Sequence, residues 1–259
     1  SGPADSIYAV QQSREPLDTR VGMGSTLAAF IAASGGGSVG QYGPLVHFGA
    51  TITEVLLKYV HIKIDRRVFI ACGVAGAISA GFNAPIAGVL FAHEALLRRF
   101  SVGAIAPIAV ASIVAYAANQ AFFNLEPMLA VPDMSIELRP LIPFLIFAGV
   151  LSALTSVAYM AAIRKGRELA SRSQWSMPQL LMSCVVVVGS ISVVVPDVAG
   201  LGLTQINEMI DAKFGLVMLF VLLAGKIFVT AYCLNAGFFG GVFGPALFVG
   251  AATGAIVAN

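Results

Sequence analysis

The sequence has 259 residues, of which 58% are hydrophobic and only 11% are charged. An average soluble domain is about a quarter charged, and fifteen Lys and Arg with thirteen Asp and Glu cannot coat a globule of this size. These figures exclude an ordinary soluble enzyme, a disordered chain and a nucleic-acid binder, which needs a basic face; they leave an all-α polytopic membrane protein.

In chain order, the opening Ser1-Gly2-Pro3-Ala4-Asp5 has neither the basic nor the apolar stretch of a signal peptide. A membrane helix needs about 20 apolar residues. The apolar runs predict spans at 22–37, 43–60, 68–97, 103–123, 140–163, 178–195, 214–234 and 241–258. Residues 68–97 are interrupted by Gly73, Gly76, Gly81 and Pro85. That pattern predicts two short tilted helices or a re-entrant pair, the alternative being one kinked helix. Broken helices survive in lipid where protein or a water-filled cavity satisfies the freed backbone, so a chain with several of them is expected to enclose a pathway. The chain ends inside the last apolar run, which predicts a single transmembrane domain over 1–259 that is incomplete at both ends.

Charge placement predicts an orientation. Lys58, Lys63, Arg66 and Arg67 form one basic loop, Arg98 and Arg99 follow the broken run, and Arg164, Lys165, Arg167 and Arg172 form a third cluster. Segments 124–139 and 196–213 hold Glu126, Asp133, Glu137, Asp197, Glu208 and Asp211 with only Arg139 and Lys213. By the positive-inside rule the basic loops are cytoplasmic and the acidic segments external. Cys72, Cys184 and Cys233 all lie in apolar stretches, and an odd count there argues against a disulfide framework.

Two segments repeat. Gly40-Gln41-Tyr42-Gly43-Pro44-Leu45-Val46-His47-Phe48-Gly49-Ala50 aligns with Gly241-Val242-Phe243-Gly244-Pro245-Ala246-Leu247-Phe248-Val249-Gly250-Ala251, five of eleven positions being identical. Each follows a glycine-rich stretch, Gly35 to Gly37 and Gly237 to Gly240. Glycine permits close backbone approach, and proline suits the first turn of a helix. Each motif therefore predicts a loop that opens a helix inside an apolar segment. A helix start carries unpaired N–H groups and about half a positive charge. Two such starts aimed at one point bind an anion without a full cation, and the absence of Lys or Arg near either motif suits release as well as capture. The alternative reading is a pair of glycine packing faces.

These residues resemble the CLC family of chloride channels and proton-coupled chloride transporters. Gly35 to Pro44 is similar to the family's Gly-Arg-Glu-Gly-Pro motif with its glycine lead-in. Gly240-Gly241-Val242-Phe243-Gly244-Pro245 is similar to its Gly-x-Phe-x-Pro motif. Ala80 to Phe91 resembles the stretch between the two, and Ser1-Gly2-Pro3-Ala4 is a weaker match to the end of the Gly-Ser-Gly-Ile-Pro motif. The resemblance implies a CLC-type fold of tilted, broken and re-entrant helices in two inverted halves. It also implies a homodimer in a membrane, the inner membrane if the source is bacterial. No cofactor and no nucleic acid are expected; the ligand is a chloride ion. The central site implied comprises N–H groups of Val242 and Phe243 with the Ser1 hydroxyl, and a more external site uses N–H groups around Gln41, Tyr42 and Gly43.

Two positions depart from the family pattern. The gating glutamate falls at Tyr42, a phenol with an unperturbed pKa of about 10 that is neutral at pH 7. The second of two adjacent acids, the proton carrier of coupled members, falls at Ala95 in Phe91-Ala92-His93-Glu94-Ala95. Glu94 and His93 remain as a possible proton path, a solvated or paired Glu94 being the alternative. The expected function is a passive chloride channel gated at Tyr42, not an enzyme. The alternatives are a proton-coupled antiporter on a substitute path, or a non-conducting subunit plugged by Tyr42. His47 reads as a packed or pore-rim imidazole. Lys226 reads equally as a vestibule residue or the partner of an acid. No His, Cys, Asp and Glu cluster has metal-ligand spacing, and no Ser, His and Asp arrangement is legible.

Overall fold

A computed structural model describes residues 18–60, 64–98, 101–124, 128–129 and 138–259. Ser1 and the motif around it lie outside these residues. The described chain runs through α1 (Thr19–Ser34), α2 (Tyr42–Leu57), α3 (Arg66–Phe82) and α4 (Pro85–Phe91), which continues as a π-helical turn over Ala92–Leu97. Then come α5 (Val102–Phe123), α6 (Leu138–Arg172), α7 (Met177–Val194), a 3-10 turn (Pro196–Val198), α8 (Leu203–Ile210), α9 (Leu216–Asn235) and α10 (Phe243–Ala258). The fold is all-α and polytopic. Val102–Phe123, Pro140–Arg172, Met177–Val194 and Leu216–Asn235 are each long and apolar enough to cross a membrane.

The chain divides into two compact units. One takes the described residues within Ser1–Phe30 and Tyr42–Met128, the other those within Ile31–Gln41 and Leu129–Asn259. The core of the first is built on α3: Ile70, Ala71, Val74, Ala75 and Ile78 are buried against Val46 and Ala50 of α2 and Ala104 and Ile108 of α5. Small residues set the spacing. A Cβ on Gly49 would stand 2.6 Å from the Gly73 carbonyl oxygen, so α2 and α3 approach through bare backbone.

The apolar run 68–97 is two helices, as the glycines and proline predict. Asn83 ends α3 in the left-handed conformation (φ 55°) and Pro85 opens α4. Side chains of α5 bond to the backbone on both sides of the break. The Asn119 side chain donates to the Ala80 carbonyl (3.0 Å) and the Ser112 hydroxyl to the Pro85 carbonyl (2.7 Å), while Gln120 donates to the Asn83 side chain (2.8 Å). Protein side chains thus help to satisfy the break, as an apolar setting requires. The buried Glu54 near the end of α2 accepts from Arg66 at the start of α3, at 2.8 and 3.3 Å.

The second unit packs α9 and α10 against α6, with α8 against α10 and α7 against α9. Val39, Leu222, Val229, Cys233, Phe248 and Ala252 lie at its centre. Most boundaries lie within about three residues of the sequence expectation, and two regions differ by more. The span expected to close at 163 continues as α6 to Arg172, because Arg, Lys, Glu, Leu and Ala end the apolar stretch but are all good helix formers. The segment 196–213, read as a connection, contains the 3-10 turn and α8. The three cysteines are free thiols, with Cys184 and Cys233 sulfurs 3.7 Å apart in the core.

Candidate functional site

The leading glycines of the two repeated motifs meet inside the second unit. Gly40 and Gly241, which are equivalent positions of the repeat, form an antiparallel bridge in which each N–H donates to the other's carbonyl at 2.6 Å. A Cβ on Gly40 would stand 2.9 Å from the Gly241 oxygen and 3.0 Å from the Gly244 nitrogen, and one on Gly240 would stand 2.5 Å from the Val39 Cβ. A side chain at either position would crowd this pairing.

The loop before the bridge is held from below. Gly36 (φ 78°) follows the end of α1, and its carbonyl accepts from the Gly200 N–H at 2.9 Å. The buried Ser38 hydroxyl is 2.9 Å from that of Thr230 on α9. Gly200 is in turn fixed by Lys226, whose ammonium donates to the carbonyls of Gly200 (2.6 Å) and Val198 (3.1 Å) and lies 4.7 Å from the centre of the Phe248 ring. Lys226 is fully buried. Both sequence readings of this residue are therefore corrected: among the described residues it is buried away from any acid and ties down backbone. A buried ammonium needs acceptors, and two loop carbonyls and an aromatic face supply them.

Each motif opens a helix as predicted. α10 begins at Phe243 with Val242 as its N-cap and Pro245 in its first turn. Val242 and Phe243 are 47% and 48% exposed, and the Tyr159 hydroxyl of α6 donates to the Val242 carbonyl at 3.0 Å. In the other unit α2 begins at Tyr42, two residues after Gly40, with Pro44 in its first turn. The first N–H groups of a helix have no partner within it and carry the positive end of its dipole. In each case the sequence therefore builds an anion-favouring terminus from backbone alone, since neither 35–44 nor 237–245 contains Lys or Arg.

Tyr42 is buried. Its ring stacks on Phe82 at the end of α3, with centroids 3.8 Å apart and planes 24° apart, and its hydroxyl donates to the Met128 sulfur at 3.2 Å. Gln41 and Gly43 beside it are half-buried. His93 is buried and Glu94 exposed in the π-helical turn, with Ala95 half-buried next to them. His47 is buried, in keeping with a packed imidazole. Ser1 lies outside the described residues.

The sequence profile described as "Voltage gated chloride channel" matches residues 1–259. The chain belongs to this family. Its relatives include the putative chloride channel protein ClcB-like of Ralstonia nicotianae, 26% identical over 98% of this chain and 60% of its own length. Another is the H(+)/Cl(-) exchange transporter ClcA of Vibrio campbellii, 27% identical over 96% and 54%. Two crystal structures share the fold. A slow cyanobacterial Cl-/H+ antiporter matches with a TM-score of 0.75, at 19% identity over 85% of this chain and 53% of that one. A CLC-type fluoride/proton antiporter matches with a TM-score of 0.70, at 22% identity over 93% and 62%. The chain spans less than two thirds of the length of the relatives it matches. Family membership and the four long apolar helices make it an integral membrane protein.

Proposed function

We propose that this protein carries chloride passively across the membrane, with anion contacts supplied by the helix starts at Val242 and Phe243 and at Gln41, Tyr42 and Gly43, and with Ser1 adding a hydroxyl to the first of these. The observation that carries the reading is the reciprocal Gly40–Gly241 bridge. It ties together the two glycines that each precede a motif helix by two residues. The ligand is the ion alone, without a cofactor, and the working unit is a homodimer with the basic segments on the cytoplasmic side.

Tyr42 supports a passive mechanism. A gate that also carries protons must swing and titrate near neutral pH. A phenol held against Phe82 and Met128 offers no carboxylate to compete with the anion, and Ala95 removes the second carboxylate from the π-helical turn. Exchange is the second reading, favoured by the exchange activity named for the Vibrio campbellii relative and by the adjacency of His93 and Glu94.

Liposome flux with simultaneous pH recording tests the proposal. Chloride efflux without stoichiometric uphill proton movement is the expected result, and proton movement at a fixed ratio to chloride overturns it. Tyr42→Ala is expected to raise chloride flux. No flux in either form would instead favour a non-conducting subunit.

A further inference from the structure

In the second unit α6, α7 and α9 line a half-open cavity of about 420 Å³, a size typical of ligand pockets. One face of α6 lines it with the small residues Ala162, Gly166 and Ala170, and Ser173 follows just beyond the helix end. Leu169, Leu180, Phe228 and Tyr232 supply apolar wall. The polar groups of the wall are already engaged. The Asn235 amide donates to the carbonyls of Ile163 and Ala231 at 3.0 and 2.7 Å, and the Tyr232 hydroxyl donates to Ser183 at 3.2 Å. Apart from the Ser173 hydroxyl, which accepts from the Trp175 N–H at 3.1 Å, an occupant therefore meets mainly hydrocarbon surface.

The mouth of the cavity has the opposite character. Lys165 lies on its lining and Trp175, the only tryptophan in the chain, stands at its rim 56% exposed. At 100° per residue Lys165, Leu169 and Arg172 follow one another along one side of α6, so Arg172 flanks the cavity beside Lys165. Arg167 falls on the far side of the helix. The stretch 164–172 holds four basic residues and one acid, Glu168, whose carboxylate is 3.7 Å from the Lys165 ammonium. This is where α6 changes from apolar to charged. A tryptophan, a tyrosine and basic side chains at such a point mark the membrane–water boundary.

We propose that this cavity is a binding site for an anionic diacyl phospholipid, with one acyl chain in the apolar chamber and the phosphate against Lys165 and Arg172. Charge complementarity selects the anionic headgroup, since each basic residue near an anionic lipid surface adds about fivefold in affinity. The satisfied walls select a hydrocarbon tail over a polar ligand.

Trp175 supplies the readout. The full chain in detergent is titrated with phosphatidylglycerol brominated on its acyl chains and, separately, with brominated phosphatidylcholine, while tryptophan quenching is followed. Half-quenching by the phosphatidylglycerol is expected at a mole fraction at least about fivefold lower than by the phosphatidylcholine. In the double variant K165Q/R172Q the two lipids are expected to quench alike, with the phosphatidylcholine curve unchanged. R167Q, on the far side of α6, is expected to keep the preference. Equal quenching by the two lipids in the parent protein overturns the proposal, because it describes ordinary boundary lipid. Absence of quenching by either overturns it too, because the cavity is then covered by protein. So does loss of the preference in R167Q to the same extent as in the double variant.

Discussion

Replacing Gly40 by alanine puts a methyl group into the bridge between the motifs. The new Cβ would lie 2.9 Å from the Gly241 oxygen and 3.0 Å from the Gly244 nitrogen, whereas comfortable contact begins at about 3.5 Å. Both atoms belong to one turn, so that turn can yield as a body by about half an ångström. The two bridge bonds start at 2.6 Å, and such a shift stretches them only to the long end of the N–H···O range, about 3.2 Å. They weaken without breaking. The cost is therefore that of overpacking, about 1–3 kcal/mol, and not the larger penalty of stranding two buried backbone pairs. Because Val242 and Phe243 follow directly in the displaced turn, chloride binding is expected to weaken by about threefold to tenfold, up to about 1.4 kcal/mol. Gly250→Ala is the matched control. It lies within α10, nothing stands within 4 Å of its added Cβ, and it should stabilise the helix by about 0.5–1 kcal/mol. Thermal unfolding in detergent and chloride titration calorimetry on both variants decide the matter. A Gly40→Ala protein that melts no lower than the Gly250→Ala protein and binds chloride as the parent does would refute the reasoning.

Lys226→Met removes the donor to Val198 and Gly200. Two stranded carbonyls cost about 1–3 kcal/mol each, partly offset by no longer burying an ammonium, so the expected result is a lower melting point and faster hydrogen exchange at the Gly200 amide. Glu54→Gln turns a charged pair with Arg66 into a neutral contact. Since the Arg66 side chain is 31% exposed, a loss near the lower end of the range for charged hydrogen bonds, about 1.5 kcal/mol, is expected in thermal or denaturant unfolding. Lys213, in the turn between α8 and α9, has its pKa raised by a hydrogen bond to Asp211 at 3.0 Å. Whatever stability the pair contributes is present below the ordinary lysine range and lost as pH rises through the elevated value. Asp211→Asn is expected to bring the Lys213 titration, followed by NMR, back down towards about 10.4.

The parts of this fold that were legible in the sequence are those that depend on neighbours in the chain. Glycine and proline mark the break in 68–97 and the two helix starts because their effect is on their own backbone. Sequence order even identifies Gly40 and Gly241 as equivalent, through the repeat around them. The rest depends on partners remote in sequence. Tyr42 could be read as a phenol in place of a carboxylate, but not as a ring stacked on Phe82, forty positions on. Ser112, Asn119 and Gln120 are unremarkable polar residues in a helix until the α3–α4 break is laid beside them.

Lys226 shows the difference most sharply. A lone lysine in an apolar helix invites a search for a carboxylate or for water, because those are the partners that side-chain identity can suggest. Its actual acceptors are carbonyls at 198 and 200, which every residue carries and which no sequence pattern singles out. The one local hint is Gly200 itself, where a positive φ (61°) turns the chain so that its carbonyl meets the ammonium while its N–H meets Gly36. A single buried cation thus supports the glycine loop from one side while the bridge holds it from the other. The loop that carries the first motif is thus secured by backbone at Gly36 and Gly40 and by the Ser38 hydroxyl between them.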